Sequence, residues 1–272
     1  MLKHSRLLAA LLYLTCICSR IGAQTKPPAN GRMVTVGKSQ MHVLVEGHGG
    51  PAVILEAGFV NDLRSFGKVQ PEIANLATVV SYDRAGLGLS EGSSGTRSGE
   101  QIARDLHTLL TDLQIPPPYV LVGHSAGGLY VRSFAYLYPN EVGGMVFVDA
   151  VLPSYLQWLE KNDPEHWHQL INIGMNSGEV VKAQWLGLQP TMAELQGQPL
   201  PLVPTVVLVS DEPDLPFKPP TAMPAFLRTQ RQFARCIPRS RIEVIHAGHE
   251  LPSLAPDRVL AAIEWVLRQT EH

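Results

Sequence analysis

The stretch Tyr119-Val120-Leu121-Val122-Gly123-His124-Ser125-Ala126-Gly127-Gly128 decides the reading of this sequence. Tyr119 to Val122 is a short apolar run that reads as a buried strand, and Gly128 to Tyr138 reads as a helix. Between them stands G-x-S-x-G. In a strand–turn–helix context that pattern is a sharp, strained turn that presents a serine hydroxyl. Glycines on either side keep side chains from colliding where strand and helix approach. The hydroxyl then lies outside the carboxyl edge of an open α/β sheet, where such sheets bind ligands. The helix N-terminus beneath it favours negative charge.

Outward from this turn, strands and helices alternate. Met33 to Val36 and Met41 to Val45 read as two strands around a Gly37 turn, and Ala52 to Leu55 as a buried one. A helix over about Phe66 to Leu76 precedes the strand Thr78 to Tyr82. Asp83 to Gly88 is turn chemistry, and Ser93 to Gly99 a Gly/Ser-rich loop. Ile102, Leu106, Leu109, Leu110 and Leu113 recur at helical spacing within residues 98–113. Met145 to Val148, Thr205 to Val209 and Arg241 to Ile245 are further strands, and residues 257–268 a final amphipathic helix. The alternation implies a mostly parallel sheet covered on both faces. Residues 150–203 interrupt it after the sixth strand. They hold Trp158, Trp167 and Trp185 and read as an inserted lid or cap over the strand ends.

A serine hydroxyl is a weak nucleophile at neutral pH and needs a base. His249 follows the last strand, and Gly248 permits the turn that frees its ring; His246, at the strand end, is the competitor. The acid that orients the imidazole is expected after the strand Thr205–Val209, where Ser210-Asp211-Glu212-Pro213-Asp214 offers three carboxylates. Asp214 is the first choice and Asp149, at the end of the preceding strand, the alternative; Asp211 and Glu212 follow. A tetrahedral oxyanion needs two fixed N–H donors. The amides of Ala126 and Phe59, the latter within Glu56-Ala57-Gly58-Phe59-Val60, are the expected pair.

Composition sets the wider limits. The chain has 272 residues, 45% hydrophobic and 17% charged, which is globular rather than disordered. A chain this long buries roughly 70–75% of its unfolded surface and needs no staples. The net charge of -2, with no basic stripe, argues against a nucleic-acid partner. Lys3, His4 and Arg6, then an apolar run of 12 residues from Leu7 to Cys18, then Ile21-Gly22-Ala23, have the layout of a secretory signal peptide. The run is short of the ~20 residues that span a bilayer. The expectation is therefore cleavage after Ala23, a single domain over residues 24–272, no stable membrane span, and a periplasmic or secreted location. Cys16 and Cys18 leave with the signal, so Cys236 is the mature chain's lone cysteine and forms no internal disulfide. No Cys or His cluster has metal-ligand spacing, so neither metal nor cofactor is expected.

Taken together, these segments resemble the α/β-hydrolase superfamily across residues 33–268. Val53-Ile54-Leu55-Glu56-Ala57-Gly58, Ser81 to Ser90, Val120 to Gly128 and Ala247-Gly248-His249 carry the resemblance. It implies an α/β-hydrolase fold of the serine-nucleophile, esterase- or lipase-like branch, with the chain order serine, acid, histidine. Aspartate, not serine, stands at the elbow in the epoxide hydrolase and dehalogenase branches that the resemblance brings to mind. Two departures are visible: Ala57-Gly58 where many relatives have His-Gly, and Asp211 where a glycine is usual. Asp83 to Ser90 is, by the same resemblance, a structural loop under the site. The expected reaction is hydrolysis of a small-molecule carboxylic ester through an acyl-enzyme on Ser125. C–C bond, amide or peptide hydrolysis and perhydrolysis on the same triad are the alternatives, and a non-catalytic binding protein of this fold is the third reading.

Overall fold

The computed structural model describes residues 31–92 and 97–270. The expected signal peptide and most of the Gly/Ser loop lie outside the described residues. The strands are β1 (Arg32–Val36), β2 (Ser39–Glu46), β3 (Ala52–Glu56), β4 (Val79–Tyr82), β5 (Tyr119–His124), β6 (Val142–Val148), β7 (Thr205–Ser210) and β8 (Ser240–Ile245). They form one sheet in the order β1-β2-β4-β3-β5-β6-β7-β8. The β1–β2 and β2–β4 pairs are antiparallel; every other pair is parallel. The carboxyl ends of β3 and β5 to β8 therefore share one edge.

The strands β3, β5 and β7 are buried along their whole length, which is why they read as unbroken apolar runs rather than alternating ones. The period of two still sorts their side chains. Ile54, Leu121, Phe147 and Val207 face the helices α2 (Gly99–Asp112) and α3 (Gly127–Leu137), whose Ile102, Leu106, Leu129 and Phe134 complete that core. Val53, Leu55, Val120, Val122, Val146 and Val148 face the other way. They pack on Phe66 and on Val259, Ile263 and Val266 of the last helix, Pro256–Thr270.

Between β6 and β7 lie α4 (Pro153–Asn162), α5 (Pro164–Asn176) and α6 (Glu179–Leu195). The insertion is thus helical. α6 is fastened to the body: the Arg97 N–H donates to Ala183 O at 3.1 Å and the Gly99 N–H to Thr191 Oγ1 at 2.7 Å. A further helix, α7 (Met223–Arg235), joins β7 to β8 and puts Phe226 into the α2/α3-side core. The helix expected over Phe66 to Leu76 is instead two short turns, a 3-10 turn at Leu63–Phe66 and one α turn, α1 (Gln70–Ile73). Asp62 caps the first turn, its Oδ1 accepting the Arg64 N–H at 2.9 Å, and Pro71 opens the second. Among the described residues, no helix is long and apolar enough to cross a membrane.

Candidate active site

Ser125 sits at the end of β5 with φ +53°, a left-handed conformation that costs a non-glycine residue about 1–2 kcal/mol. Its neighbours hold it there. The Ser125 N–H donates to Val148 O at 3.1 Å, and Ser125 O accepts from Gly128 at 3.0 Å and Val151 at 2.9 Å. The flanking glycines are dictated by space. A Cβ on Gly123 would lie 2.7 Å from Gly127 O, and one on Gly127 would lie 2.3 Å from Glu56 O. Neither backbone has room for a side chain.

His249 Nε2 stands 2.9 Å from Ser125 Oγ, and His249 Nδ1 stands 2.6 Å from a carboxylate. That carboxylate is Asp149, not Asp214. Asp149 follows β6 with φ +42°, and its N–H donates to Leu208 O at 2.8 Å. The side chain is thereby turned into the space between the ends of β6 and β7, where Oδ1 accepts the Ser210 N–H at 2.8 Å. The preference for Asp214 is corrected by how its loop folds. Asp214 and Lys218 pair their backbones as an isolated bridge, with N–O distances of 2.8 and 2.5 Å. The residue this turn sends inward is Lys218, whose Nζ donates to Asp149 Oδ2 at 2.7 Å. Asp214 stays half-buried and acts on His249 only through its charge. Asp211 and Glu212 face His246 instead, at 3.0 and 3.7 Å, and the His246 side chain is 84% exposed. His246 therefore has no part in the line through Ser125.

Electrostatics follow from these contacts. Burial alone would push the His249 imidazole down, but the hydrogen bond and charge of Asp149, with Asp214 and Glu250, hold it above the usual range. Burial pushes Asp149 up, yet the His249 and Lys218 contacts leave its carboxyl below the ordinary aspartate value. With Nδ1–H given to Asp149, His249 Nε2 is free to accept the serine proton. His124 is fully buried and held below the usual imidazole range chiefly by that burial; its Nε2 donates to His249 O at 3.0 Å. Among the described residues, His124, His249 and Glu250 bring ligand atoms within 4.8 Å of one another. Both His249 ring nitrogens are already engaged by Asp149 and Ser125, so His249 has no ring nitrogen left for a metal.

The loop after β3 is gripped from below by Arg84, which is 2% exposed. Its Nη1 donates to Glu56 Oε1 at 2.6 Å and to Ala57 O at 2.7 Å; its Nη2 donates to Gly58 O at 2.5 Å and to Phe59 O at 3.0 Å. The phenol of Tyr82 donates to the other Glu56 oxygen. In a trans peptide the carbonyl and the next N–H point in opposite directions. Drawing Gly58 O onto Arg84 therefore turns the Phe59 N–H away from Arg84. The insertion reaches the same loop, with Gln184 Oε1 3.3 Å from Arg84 Nη2 and the Phe59 and Trp185 rings edge-to-face at 6.1 Å. Asp83 to Ser90, expected to be a structural loop under the site, supplies Arg84, the residue that sets this loop. Arg84 and Lys218 were not singled out by the sequence; a charged residue beside turn residues ordinarily faces water, and only the fold shows these two inside.

The alpha/beta hydrolase fold family model matches residues 51–170. Among curated proteins, the uncharacterized protein YqjL of Bacillus subtilis is 30% identical over 107 residues, covering 39% of this chain and 42% of that protein. A fluoroacetate dehalogenase of a Burkholderia species is 31% identical over 145 residues, covering 50% of this chain and 47% of that one. The chain spans less than half the length of these curated relatives. A solved thermophilic esterase from Thermogutta terrifontis superposes with a TM-score of 0.64 at 25% identity, over 90% of this chain and all of that one. The matched family segment begins just before β3 and runs through the serine elbow, and the fold is shared over nearly the whole described chain: the protein has the α/β-hydrolase fold.

Proposed function

We propose that the protein hydrolyses carboxylic esters through an acyl-enzyme on Ser125. The observation that carries this reading is the continuous line from Ser125 Oγ through His249 to Asp149 Oδ2. Ser125 Oγ attacks the ester carbonyl carbon while its proton passes to His249 Nε2. Asp149 steadies the resulting imidazolium. The oxyanion meets the Ala126 and Phe59 N–H groups, whose stabilisation of charge is the largest single contribution in this chemistry. His249 then gives its proton to the departing alkoxide, leaving an acyl-serine and an alcohol. A water molecule, deprotonated by His249, attacks the acyl carbon; the proton returns to Ser125 and the carboxylic acid leaves. Serine at the elbow separates this reading from the aspartate-nucleophile branches, although a dehalogenase is among the relatives. With p-nitrophenyl acetate in stopped flow, a burst of one nitrophenol per protein is expected, with the acetyl group on the Ser125 peptide. A linear onset with no acyl adduct would refute the acyl-enzyme.

Two expectations follow here. His249 serves as base only when neutral, and its pKa is raised. So kcat/KM should fall as pH drops through an inflection above the ordinary histidine value of about 6.5; an inflection near 5 in a pH–rate profile would contradict this. Arg84→Met should release the Gly58 and Phe59 carbonyls. Losing a whole oxyanion donor costs about 10²–10³-fold, so kcat should fall by roughly 10²-fold with KM little changed. Steady-state kinetics, with thermal unfolding followed in parallel, checks it.

A further inference from the structure

Lys218 is the charged residue nearest the triad that the reaction above does not use. Its side chain is 0% exposed. Its Nζ donates to Asp149 Oδ2 at 2.7 Å, lies 3.4 Å from Ser210 O, and stands over the Phe226 ring at 4.8 Å. Phe217, its neighbour, has its carbonyl held by the Tyr155 hydroxyl at 2.7 Å and its ring 5.5 Å from the His249 ring. The insertion and the β7 loop thus jointly fix the lysine. Burying an ammonium is costly unless it is well paired, and here its carboxylate partner is the one His249 already uses. One oxygen, Asp149 Oδ2, receives both Lys218 Nζ and His249 Nδ1.

From this shared oxygen we infer that Lys218 is a positioning residue that also sets the pH range in which His249 is a free base. The inference rests on the reading of His249 as that base. Carboxylates surround the imidazole: Asp149 from the end of β6, Asp214 from the loop after β7, and Glu250 beside it in sequence. Each favours the imidazolium. From β5, His124 is the neutral neighbour, its ring centroid 4.9 Å away. Lys218 is the cation set against these acids, one carboxylate oxygen away from the ring. Its positive charge offsets part of the negative charge that Asp149 presents to His249, and so opposes proton uptake in the resting enzyme. It also fixes the carboxylate, because Oδ1 is held by Ser210 and Oδ2 by the ammonium. Two unit charges roughly 5 Å apart, at an effective dielectric constant of about 20, displace a pKa by about two units.

The test compares Lys218→Met, Lys218→Gln and Lys218→Arg with the unmodified protein, in two readouts. The pH profile of kcat/KM for an aryl ester should lose about tenfold of its plateau in the two neutral variants, because Asp149 Oδ2 then loses the ammonium that fixes it. Its acid limb should move up by about two pH units in the two neutral variants and return to its original place in Lys218→Arg. NMR titration of the His249 ring in the resting protein should show the same displacement without any turnover. If the unmodified protein does not hydrolyse esters, the proposed function falls, and the NMR comparison still decides the role of Lys218. A lowered plateau with an unmoved inflection would assign Lys218 to structure alone and overturn the inference. So would failure of both neutral variants to fold while Lys218→Arg folds.

Discussion

Ser125→Ala and His249→Ala should each lower kcat for a simple aryl ester by at least ~10³-fold, and by up to ~10⁶-fold if this triad behaves as interdependently as others do. Removing Ser125 Oγ deletes the atom that forms the acyl bond. Removing the imbalance-bearing imidazole leaves a hydroxyl whose proton has nowhere to go at 2.9 Å. Because the two act as one unit, the double variant should be little slower than either single one. Folding should survive the serine change, since the strained turn is held by backbone contacts to Val148, Gly128 and Val151 rather than by the hydroxyl. His246→Ala, by contrast, should alter turnover less than about threefold, because its ring faces solvent with Asp211 and surface ion pairs of this kind contribute little. A larger loss from His246→Ala than from His249→Ala, measured side by side, would reverse the assignment of the base.

Asp149→Asn should depress kcat by roughly 10³–10⁴-fold and also lower the unfolding temperature, because the buried Lys218 ammonium loses its charged partner, whereas Asp214→Asn should cost no more than about tenfold. The amide can no longer accept both the His249 Nδ1–H and the Lys218 ammonium on a charged oxygen. It also admits the wrong imidazole tautomer, with the proton on the nitrogen that must receive the serine's. Asp214→Asn removes only a neighbouring charge that raises His249, so its main effect should be a small downward move of the acid limb. Equal losses from the two variants would mean that the carboxylate at 2.6 Å is not the one that works.

The exchange of Asp214 for Asp149 shows where the sequence stops being readable. The central strands were legible because burial on both faces demands uninterrupted apolar residues, and the elbow because two glycines are forced by backbone approach. The acid depended instead on which side chain a loop turns inward. Residues 211–219 hold three carboxylates and one lysine, and the Asp214–Lys218 bridge sends in the lysine. No periodicity or composition encodes that choice. Asp149 announces itself only through a positive φ, which an aspartate tolerates and a sequence does not display. Other misses had a visible signal. The helix Met223–Arg235 carries Met223, Phe226, Gln230 and Ala234 on its buried side, a three-to-four spacing that the prolines before it obscure. The expected helix at Phe66 to Leu76 is divided at Gly67, which ends the first turn, and Pro71 opens the next, both in plain view. Arg84 illustrates the remaining class, a polar residue buried because Glu56, itself buried, requires a partner.

The most direct test of the account is covalent. A fluorophosphonate probe incubated with the folded protein near pH 8 should add once per chain, and peptide mapping should place the adduct on Ser125. Labelling should be abolished in Ser125→Ala and slowed by several hundredfold or more in Asp149→Asn. An adduct that persists in Ser125→Ala, or no adduct on the folded protein at all, would contradict the claim that Ser125 is the activated nucleophile of a hydrolase.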